Sequence, residues 1–146
     1  MVIRKKASIL ICIIVFMFVF NISSYADTTA NISEESSIIT PMWTNTDLID
    51  INLSFSGLKA NCYIDIIGKT GVTKIIATAI LQRKNSNGTF TDIKTWSNLS
   101  AVGSELIFSE YYYVTNGYTY RLTVNTNVYK GSSYESITAY DESYCT

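Results

Sequence analysis

The chain has 146 residues, 47% of them hydrophobic, and a formal net charge of −1. Its length suits one domain. Histidine is absent, which excludes Ser–His and Cys–His nucleophile systems and removes the commonest metal ligand. The weakly acidic balance argues against a nucleic-acid binder, which usually shows a basic face, and against a polybasic protein of the membrane surface.

The first 26 residues have the composition of a secretory signal peptide. Basic residues 4–6 precede an apolar run at residues 7–20, and the small residues up to Ala26 suit a peptidase. The segment 7–22 would span about 24 Å as a helix, less than the roughly 30 Å of a bilayer core. This disfavours an uncleaved anchor; a buried core helix is the other alternative. We predict cleavage after Ala26 and a secreted protein that meets the membrane only through this peptide.

Residues 27–47 are polar and irregular, and they contain the single proline, Pro41. Segments of this composition bury too little apolar surface to become ordered by themselves. We therefore predict a flexible N-terminal arm, and we expect its last part, near Met42 and Trp43, to dock on the domain that follows.

From residue 48 onward, short apolar runs alternate with polar residues at period two and are separated by turn residues. This rhythm is typical of half-buried strands in an all-β sandwich or barrel. We predict a single Ig-like antiparallel β-sandwich of about seven strands at residues 48–146. The segment 72–83 is apolar on both faces, which indicates a central strand. The predicted strands are 48–55, 60–66, 72–83, 89–96, 105–113, 118–129 and 134–144.

Two cysteines, Cys62 and Cys145, remain after cleavage, because Cys12 leaves with the signal peptide. An even count in an exported protein favours a disulfide, and two free buried thiols are the alternative. If each turn reverses the chain, both cysteines lie at the same end of the sandwich. We therefore predict a Cys62–Cys145 bond, worth about 4–5 kcal/mol in the chain-entropy model.

The acidic residues show no spacing that singles out a catalytic pair, although two carboxylates could serve a glycosidase. Asp141 and Glu142, if they lie near Asp47 and Asp50, could gather a calcium ion. No loop matches a calcium-binding pattern, however. We interpret these acids as solvated surface groups, and we predict no catalytic residue, no metal and no cofactor.

The aromatic residues are the candidates for binding. The chain has 11 tyrosines, three of them consecutive at Tyr111, Tyr112 and Tyr113. On a strand Tyr112 points opposite to its neighbours, so at least one of the three is exposed unless both faces are covered. Exposed tyrosine stacks on sugar rings and anchors interfaces, whereas core or edge packing is its ordinary role in strands. The candidate binding face is Tyr111, Tyr112 and Tyr113 with Trp43.

The segment 116–122 (Asn-Gly-Tyr-Thr-Tyr-Arg-Leu) is the most specific local motif. A glycine turn, then tyrosine, then alternating apolar residues resembles the tyrosine corner of Ig-like sandwiches. Tyr120 is the predicted corner residue, with its hydroxyl bonding backbone upstream, and its role is structural. Trp96 is the predicted large core residue of the hairpin around residues 85–88.

Four stretches and the cysteine pair are familiar in combination; the stretches are 54–57, 81–90, 94–97 and 117–122. Together they resemble a family of short exported proteins of unknown function from low-GC bacteria. The resemblance covers residues 49–145 and implies a secreted Ig-like sandwich without an assigned activity. A looser resemblance to fibronectin type III modules rests on the Tyr120 corner, while the scarcity of proline and the predicted disulfide depart from those modules.

Three hypotheses of function follow. The first is a secreted non-enzymatic module for binding or adhesion, whose partner is a protein or glycan surface ligand and not a nucleic acid. The alternative is a secreted antagonistic protein, bacteriocin-like or toxin-like, to which an apolar patch exposed on opening of residues 72–81 would contribute. The third is a hydrolase with a carboxylate pair. No residue pattern indicates the target or the oligomeric state.

Overall fold

The computed structural model describes residues 42–146, so the predicted signal peptide and residues 27–41 of the predicted arm lie outside the described part of the chain. Among residues 42–146 there is no helix with the length and apolarity that a membrane crossing requires. Seven strands occupy most of these residues. They are β1 (Thr46–Ser56), β2 (Lys59–Gly68), β3 (Lys74–Lys84), β4 (Phe90–Val102), β5 (Glu105–Tyr113), β6 (Tyr118–Lys130) and β7 (Ser133–Cys145).

The strands form two sheets in which all neighbours pair antiparallel. The three-stranded sheet has the order β1-β2-β5, and the four-stranded sheet has the order β4-β3-β6-β7. The chain therefore crosses between the sheets after β2, β4 and β5. Buried residues of both sheets share one hydrophobic core. The predicted all-β sandwich of seven antiparallel strands is thus confirmed.

Period-two alternation places one row of apolar side chains from each strand in the core. Along β2 and β3 every second side chain is buried, beginning at Ala60 and Ile75. The buried row of β6 begins at Tyr120. Each large aliphatic side chain contributes about 1.5–3 kcal/mol when fully buried. Fully buried side chains include Ile64, Ile66, Ile75, Leu81, Tyr120, Leu122, Val124 and Val128.

The segment predicted as central is β3, which lies between β4 and β6. Its inward row is buried, and Ile76 and Ile80 on its outer face are half-buried. The chain turns into β4 at residues 85–88. There the Asn85 N–H donates to the Thr89 carbonyl at 2.7 Å, and Gly88 has φ of +84°, a conformation that glycine adopts without strain.

The sheets meet on one side along the edge strands β1 and β7, which we call the β1–β7 seam. Glu135 of β7 accepts four hydrogen bonds of 2.6–3.1 Å, from the N–H groups of residues 44–46 and from the Thr46 hydroxyl. Asp141 of β7 accepts a fifth, from the Leu53 N–H at 2.9 Å. Two carboxylates of one edge strand therefore satisfy backbone donors on the edge of the other sheet.

These hydrogen bonds also order the end of the predicted arm. Burial raises the pKa of Glu135, but the bonds from residues 44–46 outweigh it and leave that pKa below its ordinary value of 4.5. Met42 is fully exposed, and Trp43 is half-buried with its carbonyl accepting a hydrogen bond from Lys69 Nζ. Residues 44–47, which the sequence assigned to the arm, therefore belong to the domain, and β1 begins at Thr46.

On the opposite side the sheets meet through β4 and β5, which we call the β4–β5 seam. Trp96 of β4 packs edge-on against Phe108 of β5, with ring centroids 5.3 Å apart and an interplanar angle of 63°. Trp96 is only half-buried, although it packs against the core. The tryptophan predicted as a large core residue thus closes the margin of the core.

Candidate binding surfaces

A tyrosine cluster lies on the outer face of the three-stranded sheet, where β5 ends. Leu106 and Phe108 of β5 point into the core, so Tyr111 and Tyr113 point outward. Their rings are in edge contact with centroids 5.9 Å apart, and Lys59 Nζ lies 4.2 Å from the Tyr111 ring centroid. We call Lys59, Tyr111 and Tyr113 the β5 tyrosine cluster. It is an aromatic surface with one positive charge.

The structure separates the other two predicted contact residues from this cluster. Tyr112 points to the opposite side, where it lies opposite the buried Ala60, and it is 37% exposed. Trp43 precedes Thr46, which pairs with the end of β2, whereas Tyr113 pairs with its beginning. These positions are about 30 Å apart along β2. Of the four residues predicted to share one face, only Tyr111 and Tyr113 are in contact.

Tyr120 makes the backbone contact expected of a tyrosine corner. Its hydroxyl donates to the Thr115 carbonyl at 2.7 Å and accepts from the Thr115 N–H at 3.1 Å. Burial raises the pKa of Tyr120, and the Thr115 backbone bond partly offsets that rise. The ring also packs against Phe55 of β1, with centroids 5.7 Å apart. Tyr120 therefore ties the turn before β6 to the core and is not available to a ligand.

Cys62 and Cys145 are both buried and both are free thiols in the structure, so the predicted disulfide is not formed. Cys145 Sγ lies 3.6 Å from the Gly57 carbonyl oxygen, in the turn between β1 and β2. Cys62 lies three residues along β2 from Lys59, about 10 Å beyond that turn. Both cysteines lie toward one end of the sandwich, but Cys62 lies farther from that end than Cys145 does. Burial raises the pKa of Cys62 to about 12, which keeps it a poorly nucleophilic thiol.

The acids considered for calcium do not converge. Asp141 points into the β1–β7 seam, whereas the next residue, Glu142, points outward and pairs with Arg121. Among residues 42–146 no group of three or more potential metal ligands lies together. The strand register does place Asp50 directly opposite Asp65 on the outer face of the three-stranded sheet, a pair that no sequence spacing indicated.

A second aromatic surface, which the sequence analysis did not single out, lies on the outer face of the four-stranded sheet. Near the β6–β7 turn, Tyr129 and Tyr134 face each other with ring centroids 5.2 Å apart. Lys74 Nζ lies 4.4 Å from the Tyr129 ring centroid. The signal was present in the sequence, because folding residues 118–144 as a hairpin about Gly131 makes these tyrosines partners.

The far end of the same face carries a stacked arginine. The Arg121 guanidinium lies 3.7 Å from the Phe90 ring centroid and 4.3 Å from that of Tyr140. Its Nε also donates to Glu142 Oε1 at 2.9 Å. The charge of Arg121 is therefore paired, and its plane supports the two rings.

Comparison with known proteins leaves this geometry as the guide to function. No family model matches the chain, and no curated protein matches it. Among solved structures, the chain is similar to the sporulation control protein Spo0M from Bacillus subtilis, with 12% sequence identity and a TM-score of 0.42. The match covers 69% of this chain and 48% of the Spo0M chain, so it spans about half of that protein. A likeness of this degree carries no argument about function.

Proposed function

We propose that the chain is an exported, non-enzymatic interaction module that binds a protein or glycan surface ligand outside the cell. The observation that carries the proposal is the exposure of its tyrosines. Of the ten tyrosines in the described residues, seven are exposed, Tyr63 and Tyr129 are half-buried, and Tyr120 is buried. The exposed ones are Tyr111, Tyr112, Tyr113, Tyr118, Tyr134, Tyr140 and Tyr144.

Core packing does not explain this distribution, although β5 and β7 are both edge strands. Tyr111 and Tyr113 lie on the outward row of one sheet, and Tyr134 and Tyr140 lie on the outward row of the other. Exposed large rings that lie together mark interaction sites more often than isolated ones do. Tyrosine suits this role because it offers a large contact area and a hydroxyl while losing little conformational entropy on binding.

The strand order supports an Ig-like module as the scaffold. Lettered in chain order with β4 as C′, the two sheets hold A-B-E and C′-C-F-G. The Tyr120 contact with Thr115 is the corner that such sandwiches use. The composition of residues 1–26 supports export, and the resemblance to short exported bacterial proteins agrees with the same proposal.

The antagonist alternative has less support. It requires an apolar segment at residues 72–81 that can be exposed, yet β3 lies between β4 and β6 and its inward row is buried. An antagonist could instead act through the same exposed tyrosines. Growth inhibition is therefore measured beside binding, as a separate readout.

The test is retention of the purified full chain on bacterial cell-wall preparations and on a glycan array. We expect retention on at least one surface, and we expect it to weaken when Tyr111 and Tyr113, or Tyr134 and Tyr140, are replaced by serine. Leu48→Ser is the matched control, because Leu48 is an exposed apolar residue at the opposite end of the three-stranded sheet from the β5 tyrosine cluster.

Retention on none of these surfaces would overturn the proposal. Inhibition of neighbouring strains by protein that no surface retains would replace it with the antagonist alternative. Export is tested by expressing the full chain with a C-terminal tag and sequencing the N-terminus of protein recovered from the medium. We expect it to begin at Asp27, and protein confined to the cells would remove the exported part of the proposal.

A further inference from the structure

The outer face of the four-stranded sheet is uncharged across its centre. The strand register aligns residues of β3, β6 and β7 in rows that run across the sheet. None of the residues in three successive central rows carries a charge. These rows are Ile76-Asn127-Ser136, Thr78-Asn125-Thr138 and Ile80-Thr123-Tyr140.

Two of the central rows line a depression of about 280 Å³. This volume is at the lower end of the range for small-ligand pockets. Among the lining residues whose side chains point outward, Ile76 is apolar and the other five carry amides or hydroxyls. These five are Thr78, Asn125, Asn127, Ser136 and Thr138. Ala77, Thr126 and Ile137 also line the depression but belong to the inward rows. A ligand resting here would meet polar neutral groups beside a small apolar surface.

Two asparagine side chains in the depression are held in place by hydroxyl groups. Asn125 Oδ1 accepts from Thr138 Oγ1, and Asn127 Oδ1 accepts from Ser136 Oγ, both at 2.7 Å. Each bond fixes an amide plane and uses its oxygen, so the Nδ2 group remains as a donor. Among the described residues neither Nδ2 group donates to a protein acceptor. The two donors lie on one face, about 7 Å apart along β6.

Two aromatic rings of β7 flank the two rows that line the depression, one on each side. Tyr134, which is 58% exposed, precedes Ser136 by two residues, and Tyr140, which is 59% exposed, follows Thr138 by two residues. The two tyrosines lie about 20 Å apart along the strand and on the same face. Tyr134 rests against Tyr129, and Tyr140 rests against the Arg121 guanidinium. Each ring therefore rests against a neighbour, with Arg121 over one face of Tyr140, and each tyrosine still keeps more than half of its surface exposed.

We propose that this face binds a neutral polysaccharide, with sugar rings stacked on Tyr134 and Tyr140 and sugar hydroxyls bonded to the Asn125 and Asn127 amides between them. The proposal rests on the proposed function and assigns it a site and a ligand class. A sugar ring offers a C–H face that packs on an aromatic ring and hydroxyls that pair with amide donors. A polysaccharide repeats both features along its length, as this face does.

The charge distribution favours this ligand over two other classes of macromolecule. Nucleic-acid chains are bound in positively charged grooves with aromatic platforms. Here the central rows are neutral, Arg121 at one margin is paired with Glu142, and Lys74 at the other margin is a single cation over the Tyr129 ring. Protein interfaces have an apolar centre with a polar rim. The face has a different arrangement, because its rings flank the depression and amides and hydroxyls predominate within it.

The test uses the purified full chain with insoluble cellulose, chitin and starch as neutral probes and immobilised polygalacturonate as a charged probe. Binding is measured as depletion of the protein from solution. We expect binding to at least one neutral probe. We also expect it to persist at about 1 M salt, because the Debye length there is about 3 Å and attraction between exposed charges is screened. Binding to polygalacturonate alone would overturn the proposal.

Paired variants on the two sheets locate the site. Asn125→Asp with Asn127→Asp keeps the acceptors for Thr138 and Ser136 but removes both donors, and Tyr134→Ala removes one ring. We expect each of these variants to weaken binding to the neutral probe by about tenfold or more. Asn52→Asp and Tyr63→Ala make single changes of the same kinds at two facing residues on the outer face of the three-stranded sheet, and they should leave binding unchanged. Thermal unfolding of each variant checks that it is folded.

The outcomes separate this inference from the function on which it rests. If Tyr63→Ala or Asn52→Asp weakens binding and the four-stranded-sheet variants do not, the site is wrong while a binding function stands. If no neutral probe retains the chain but cell walls or the glycan array do, the ligand class is wrong and binding again stands. If none of these surfaces retains it, both proposals fail.

Discussion

The two seams that join the sheets are built from different chemistry. At the β1–β7 seam, Glu135 and Asp141 accept hydrogen bonds from residues 44–46 and from Leu53. At the β4–β5 seam, Trp96 packs edge-on against Phe108. The first seam depends on directional bonds to charged acceptors, and the second depends on the removal of aromatic surface from water.

This difference shows how the protein manages the open edges of its sheets. An edge strand presents unpaired backbone groups to which another chain could add, and inward-pointing charges are one natural device against such pairing. On β7 these charges also satisfy donors on the facing edge. We therefore expect the β1–β7 seam to depend on pH and on the presence of its acceptors, and the β4–β5 seam to depend on side-chain volume.

The largest effect is expected from Glu135→Ala, which should lower the free energy of unfolding by about 3 kcal/mol. It removes a charged acceptor and leaves the N–H donors of residues 44–46 unpaired, of which those of Asn45 and Thr46 are partly buried. Urea denaturation at neutral pH measures the change. Glu142→Ala is the control on the same strand, because its exposed pair with Arg121 is worth about 0.5 kcal/mol. Equal losses in the two variants would show that the seam carries no special stability.

A smaller loss, about 2 kcal/mol, is expected from Trp96→Ala at the β4–β5 seam. The value lies below the 3–5 kcal/mol typical of a fully buried tryptophan because Trp96 is half-buried. Trp96→Phe should recover most of the loss, since it keeps an aromatic contact with Phe108. The same denaturation experiment measures both variants. A loss in Trp96→Phe as large as that in Trp96→Ala would argue against packing as the cause.

The next effect in size is the pH dependence of the unfolding free energy, which should differ between variants of the two seams. The pKa of Glu135 is lowered in the folded state, so its contribution is present above the ordinary value of 4.5 and is lost as pH falls through the folded pKa. We expect the unfolding free energy of the parent chain to fall across this acidic range. Glu135→Gln should show a shallower fall, and Trp96→Ala should keep the parent slope. If the unfolding free energy of Glu135→Gln changed with pH as steeply as that of the parent chain, the role given to this carboxylate would be wrong.

The smallest effect near neutral pH concerns the two thiols at the end of the sandwich where β7 finishes. Burial raises the pKa of Cys62 from 9.0 to about 12, so stability should fall as pH rises from 9 toward 12, where the unfolded thiol ionises first. At pH 8 the Cys62 thiol should resist a thiol reagent in the native state and react after unfolding in urea. Cys62→Ala identifies its signal. Unfolded protein whose Cys62 reacts only after reduction would show that Cys62 forms a disulfide in solution.

The alternation of residues predicted most of the strands closely, because inside and outside positions follow directly from a period of two. The prediction for β4 was wrong at its end: the strand continues to Val102, six residues past Trp96, because a bulge at residues 97–98 interrupts the alternation. The segment 72–83 was correctly placed at the centre of a sheet for the same reason. The seams were beyond such reasoning. Glu135 and Asp141 look like ordinary surface acids on an alternating strand, and only the approach of β7 to β1 shows which donors they satisfy.

The candidate binding residues show the same division. Consecutive tyrosines drew attention to residues 111–113, and alternation correctly separated Tyr112 from its neighbours. The grouping with Trp43 was wrong because the distance between Trp43 and the tyrosines depends on how β1 and β5 pair with β2, and alternation along one strand does not show that pairing. The Asn125–Thr138 and Asn127–Ser136 hydrogen bonds depend on the register of β6 with β7. One residue more or fewer in the turn between these strands would shift that register.

By itself the sequence determined the class of fold, the rows of side chains that enter the core, and the turns that reverse the chain, because these follow from local alternation and from glycine or asparagine at fixed places. Only the tertiary structure decided how far each cysteine lies from the end of the sandwich, which acids become acceptors, and which polar residues share a face. Those features depend on register and on the packing of two sheets, and both bring together residues that are up to about 90 positions apart in the chain.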